Sequence, residues 1–89
     1  MSENRNLTPQ GRVLDQLIKT VVGCIVDDPK QVQTVVVESG STVVIELTVA
    51  RDDIGKVIGR QGSMARALRT VLSNAATKHQ RRSVLQIIE

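Results

Sequence analysis

The hydrophobic period of this chain changes between its first and second quarters, and a fold must satisfy both periods at once. From Val13 to Ile25 the apolar residues Val13, Leu14, Leu17, Ile18, Val21, Val22 and Ile25 recur at three-to-four spacing, the signature of an amphipathic helix. From Val43 to Val49 they alternate: Val43, Ile45, Leu47 and Val49 share one face, and Val44, Glu46 and Thr48 share the other. That is a strand with one face in the core. Helix and strand must therefore cover one another.

Local signals divide the rest. Thr8-Pro9 reads as an N-cap followed by proline at the first helical position, and Asp27-Asp28-Pro29 stops the helix near Val26, because the residue before a proline is driven out of the helical region. Two runs rich in β-branched residues, about 31–38 and 42–49, are joined by Ser39-Gly40-Ser41 and predict an antiparallel hairpin. Asp52 or Asp53 can cap a short helix carrying Ile54, Val57 and Ile58, which Gly59 ends. Ser63 can cap a longer helix reaching about Lys78. Residues 83–89, with Val84, Leu85, Ile87 and Ile88, form a terminal strand. The expected class is α+β, in the order helix-strand-strand-helix-helix-strand. The last two strands, joined through helices, should be parallel with a right-handed crossover. The result is a three-stranded mixed sheet covered on one face by three helices. With 89 residues there is room for one core, so residues 1–7 are expected to be a polar tail and 8–89 the domain.

Composition narrows the function classes. The chain contains no Phe, Tyr or Trp, so it lacks the rings on which many single-strand binders stack bases, which counts against an RRM or a cold-shock barrel. No apolar run approaches the ~20 residues of a membrane span. The N-terminus lacks the apolar stretch of a signal peptide, and Cys24, the only cysteine, has no intrachain partner; a cytoplasmic setting is expected. Charge is asymmetric. From Arg51 to Arg82 there are eight basic residues against two acidic ones, whereas the rest of the chain holds four basic and seven acidic. A polyanionic partner for the C-terminal part fits this asymmetry, as does a solvated helix face.

The segment Gly55-Lys56-Val57-Ile58-Gly59-Arg60-Gln61-Gly62 carries the chemistry. One glycine ends a helix, two polar residues form a tip, and a second glycine opens into the next helix. Glycines at both ends allow a sharp turn and close approach by a foreign backbone, and the start of the following helix presents N–H groups and a positive dipole end to a phosphate at Gly62 and Ser63. A tight helix-to-helix turn would need the same glycines.

A G-x-x-G between two helices, flanked by Val57-Ile58, preceded by a hairpin and followed by a strand, resembles the KH domain, an RNA-binding module whose loop clamps about four backbone nucleotides. The placement of helix and hairpin before the loop is similar to the type II arrangement, and the resemblance covers residues 12–89. The stretch from Val49 to Gly62, with Arg69-Thr70-Val71 after it, resembles the KhpA family of single-KH bacterial proteins. Two departures stand out: Ala65 occupies a position where isoleucine is common, and the second tip residue, Gln61, is neutral. The resemblance implies single-stranded RNA binding as an RNA chaperone or post-transcriptional regulator. It also implies partnership with a KhpB-like RNA-binding protein and a link to cell length and envelope (peptidoglycan) synthesis.

On this reading Arg60, Gln61 and the backbone of Gly59 and Gly62, with Ser63 beside them, meet phosphates and sugars. Lys56 and Arg66 widen the positive rim. Val57, Ile58 and Ala65 floor an apolar groove, although at least one of Val57 and Ile58 is expected to serve the core. In the long helix, Ala65, Leu68, Leu72 and Ala76 form the core stripe. Met64, Ala67 and Val71 lie beside it, available either to pack on the first helix or to form a homodimer or partner interface.

Other chemistry finds no support. Cys24 reads as a small buried hydrophobe, and one Cys with one His (His79) cannot build a structural zinc site. Asp52-Asp53 suit a helix start. Lys56 precedes the glycine loop, unlike a phosphate-binding P-loop. No catalytic residues, metal or cofactor are expected. Two alternatives stay open: an assembly module whose partner supplies most RNA binding, and an enzyme domain that holds a nucleotide phosphate on the loop.

Overall fold

The computed structural model describes residues 6–89; most of the expected polar tail, residues 1–5, lies outside them. The first helix, α1, runs Pro9–Ile25. Thr8 caps it, its hydroxyl accepting from Gly11 N–H at 3.1 Å. After a single 3₁₀ turn at Pro29–Gln31 come β1 (Gln33–Ser39) and β2 (Thr42–Thr48). A second 3₁₀ turn, Arg51–Asp53, leads into the five-residue α2 (Ile54–Ile58). A third, Arg60–Gly62, leads into α3 (Ser63–Lys78). The described chain closes with β3 (Arg82–Ile87).

The three strands form one sheet in the order β1-β2-β3. β1 and β2 are antiparallel, with Val36 opposite Ile45, and β2 and β3 are parallel, with Ile45 beside Leu85. The expected class, element order and mixed sheet are all present. The core lies between this sheet and the helices: Leu14, Ile18 and Val22 of α1, Val57 of α2, and Leu68, Leu72 and Ala76 of α3 meet Val36, Val43, Ile45, Leu47 and Leu85. The strict alternation in β2 is borne out, since Val43, Ile45 and Leu47 are fully buried and Val49 nearly so. Leu7 also packs against this core.

Two local expectations need correction. Cys24 is exposed. At ~100° per residue it sits about 120° around the helix from Ile18, off the stripe that Leu14, Ile18 and Val22 bury. Asp53 does not cap α2 with its side chain. Its carboxylate, 2% exposed as a residue, accepts from the backbone N–H groups of Asp27 at 3.2 Å and Asp28 at 3.0 Å. It thus ties the end of α1 to the start of α2. Burial works to raise its pKa, and those two N–H groups together with Lys56 outweigh it, so the carboxyl lies below its ordinary value.

A second polar clamp closes the opposite end. Glu38 of β1 accepts from Thr8 N–H and from the Thr8 hydroxyl, both at 2.7 Å, and from the Arg81 guanidinium at 2.9 Å. The N-cap of α1, the hairpin and the segment between α3 and β3 are joined through one carboxylate. Gly11 is needed there, because a Cβ at that position would run into the Glu38 carboxylate.

Candidate nucleic-acid interface

The loop between α2 and α3 is set by backbone geometry. Gly59 has φ 77° and ψ 172°, a region essentially closed to residues with a side chain. A Cβ added there would stand 2.6 Å from Met64 Cβ and 2.7 Å from Met64 N, so Gly59 lies directly on the first turn of α3. Gln61 (φ 55°, ψ 28°) and Gly62 (φ 76°, ψ 12°) follow in left-handed conformations. The chain thereby turns from one helix into the next within the four residues 59–62, leaving Arg60 and Gln61 exposed at the tip.

This turn changes how the start of α3 is capped. Ser63 was expected as the N-cap; Gly62 holds that position, with no side-chain cap, and Ser63 is the first helical residue. Gly62 N–H donates to Gly59 C=O at 3.1 Å, and Ser63 N–H donates to Arg60 C=O. Two donors expected to face a phosphate are therefore engaged inside the turn. Attraction for an anion falls to the Arg60 side chain, to Arg66 and to the helix-end field. Arg66 also steadies the loop, donating to Gln61 C=O at 3.0 Å.

The remaining residues of the expected site divide by direction. Lys56 pairs with Asp27 at 2.9 Å and Asp53 at 3.5 Å. Asp27, through its hydrogen bond and its charge, leads in holding the ammonium pKa above its ordinary value. Lys56 is thus largely neutralised on the α1 side of the loop. Val57 is fully buried and belongs to the core; Ile58 is half-buried and Ala65 buried. In α3, Ala65, Leu68, Leu72 and Ala76 are the buried stripe, as expected. Met64 packs partly against the core, whereas Ala67 is exposed and Val71 is 48% exposed.

Farther along α3 lies a groove whose residues carried no site assignment in the sequence. A cavity of about 290 Å³ lies between α3 and β3, lined by Arg69, Leu72, Ser73, Ser83, Val84 and Leu85. β3 is an edge strand. Its Arg82 and Ile88 N–H groups bond to β2 at Ser41 and Leu47, so by alternation Ser83, Leu85 and Ile87 turn their backbone groups outward along the groove. Arg69 donates from Nε to the outward Leu85 carbonyl at 3.2 Å. The sequence held a signal for this wall: Arg66, Arg69 and Ser73 follow three-to-four spacing on α3.

Among the described residues no group of three or more His, Cys, Asp or Glu side chains could hold a metal ion, and no helix is long and apolar enough to cross a membrane.

A helix, a hairpin, two helices joined by Gly59-Arg60-Gln61-Gly62, and a strand returning parallel to β2 together make a type II KH domain. The sequence profile of the family described as KhpA/KhpB, KH domain, matches residues 15–87, and the chain belongs to that family. It is 44% identical over 75 residues to the RNA-binding protein KhpA of Clostridium acetobutylicum, covering 84% of this chain and 100% of the relative. To the protein of the same name in Halalkalibacterium halodurans it is 45% identical over 73 residues, 82% of this chain and 96% of the relative. To that of Aquifex aeolicus it is 42% identical over 76 residues, 85% and 96%.

Proposed function

We propose that this chain binds single-stranded RNA without catalysing a reaction, seating the sugar-phosphate backbone on the loop between α2 and α3. The observation that carries this reading is the turn itself. Gly59 and Gly62 bring two helices together with no side chain between them, and Arg60, Gln61 and Arg66 form an exposed cationic and polar tip. The relatives named as RNA-binding proteins support it. Contacts are assigned to Arg60, Gln61 and Arg66, with the backbone of Gly59, Gly62 and Ser63 shaping the seat. Lys56, held by Asp27 and Asp53, contributes little to the rim; Ile58 and Ala65 are assigned to the apolar floor beside the loop, and Val57 only supports them from the core.

Arg60→Asp combined with Gln61→Asp tests the assignment. Asp tolerates the left-handed conformation at position 61, so the fold persists while the tip becomes anionic. Crosslinking to single-stranded RNA is expected to be lost; crosslinking at the wild-type level would sink the reading and favour a module whose partner holds the RNA.

The finer parts of the proposal concern partners and setting. Exposed Val71 and Ala67 of α3 suit a dimer seam, either with a second copy or with the KH domain of a KhpB-like protein; Met64 supports it from beneath. Val71→Asp, followed by light scattering, is expected to shift a wild-type dimer to monomer, and an unchanged dimer would remove the seam. In this setting the protein acts in the cytoplasm as an RNA chaperone or post-transcriptional regulator linked to cell length and envelope synthesis, as its family suggests.

A further inference from the structure

We propose that Asp27 is a positioning residue for the RNA seat: it holds the Lys56 ammonium away from the loop and so lowers the affinity for single-stranded RNA. The inference rests on the RNA-binding reading and deepens it, because it names what limits the strength of binding at the same site.

Lys56 lies in α2, three residues before Gly59 and four before Arg60, spacings that share one face of a helix. Its stem therefore rises from the side of α2 that leads into the loop. A four-carbon chain spans about one helical turn, ~5.4 Å, so a free ammonium there can reach a phosphate seated at Arg60. In this structure it is engaged elsewhere. Lys56 Nζ lies 2.9 Å from Asp27 Oδ2, just past the end of α1, and 3.5 Å from Asp53 Oδ1.

The two carboxylates are not equivalent. Asp53 is buried and already accepts from the backbone N–H groups of Asp27 and Asp28, which makes it part of the joint between α1 and α2. The Asp27 side chain is 80% exposed and that of Lys56 43%. An exposed ion pair of this kind adds little to stability, yet it neutralises a cation one turn from the loop. The hydrogen bond and charge of Asp27 are also the leading causes that raise the Lys56 pKa. A phosphate that took Lys56 from Asp27 would exchange one anion for another and leave a bare carboxylate beside the strand, so the exchange gains little.

Asp27→Ala frees Lys56, whereas Asp28→Ala removes the same charge from the next residue and leaves the pair intact. Binding of a fluorescein-labelled single-stranded RNA of mixed sequence is followed by anisotropy across a salt series. One added phosphate contact steepens the slope of log affinity against log salt by ~0.7, a gain of about fivefold for each tenfold fall in salt. Asp27→Ala should show that gain over the wild type, and Asp28→Ala should keep the wild-type slope. Lys56→Met in the Asp27→Ala background should cancel the gain. Equal slopes in the two alanine variants, with RNA still bound, would overturn the role of Asp27 and leave the RNA-binding reading intact. A gain that survives Lys56→Met would overturn it too, since net charge alone would then account for it. Absence of binding by the wild type at every salt concentration would overturn both readings together.

Discussion

Alanine at Gly59 should cost far more stability than alanine at Gly62, although both glycines have positive φ. At Gly59 the dihedral pair of 77° and 172° lies in a glycine-only region, which costs about 1–3 kcal/mol for a side chain. The added methyl would also meet Met64 N and Cβ at 2.7 and 2.6 Å. Both belong to the first turn of α3, so the helix start must move, adding an overpacking cost of about 1–3 kcal/mol. At Gly62 the conformation is ordinary left-handed helix, a cost of about 1–2 kcal/mol. There the nearest atom is the end of the Arg66 side chain at 3.5 Å, a normal contact. The expected losses are therefore about 2–6 kcal/mol against about 1–2, in a domain whose total stability is roughly 4–13 kcal/mol. Thermal unfolding followed by circular dichroism reads this directly. At about 4–8 °C per kcal/mol, Gly59→Ala should lower Tm by about 10 °C or more and Gly62→Ala by clearly less. Equal losses, or a larger one at Gly62, would refute the contact between Gly59 and α3.

Two further outcomes follow from the polar clamps and the exposed cysteine. At Glu38, burial works to raise the pKa, but the hydrogen bonds from Thr8 and the charge of Arg81 outweigh it and lower the value. The stabilisation it gives is present above the ordinary carboxylate pKa and fades as pH falls through the depressed one. Glu38→Gln should cost about 1–2 kcal/mol at neutral pH, with the difference from wild type shrinking in acid; urea melts across that range check it, and a pH-independent difference would contradict the clamp. Cys24 should react fully with a thiol reagent in the folded protein, and protection until unfolding would contradict its exposure.

Much of this fold was legible because its signals are local. The Thr8-Pro9 cap, the Pro29 stop, the alternation of Val43, Ile45 and Leu47 and the α3 stripe each depend on residues a few positions apart. What escaped depends on contacts between distant segments. Asp53 looked like a cap, yet its carboxylate serves Asp27 and Asp28, and Lys56 followed it into that cluster rather than to the loop rim. Cys24 reads from the sequence as lying on or beside the apolar face of α1, yet its angle carries it off the buried stripe. The loop was found from its two glycines, but their capping geometry was not, because Gln61 in a left-handed conformation carries no compositional mark. The groove beside α3 was missed because its walls, Arg69 and Leu85, meet only once β3 has joined the sheet.

The most direct test of the central claim is the salt dependence of single-stranded RNA affinity. With Lys56 held in ion pairs and Arg69 on a carbonyl, about two or three phosphates are neutralised by the loop and its flanks. At ~0.7 per contact the slope of log affinity against log salt should be about −1.4 to −2.1, becoming much shallower when Arg60 and Gln61 are both aspartate. A slope near zero in the wild type, or one unchanged in the loop variant, would contradict a backbone seat at Gly59-Arg60-Gln61-Gly62.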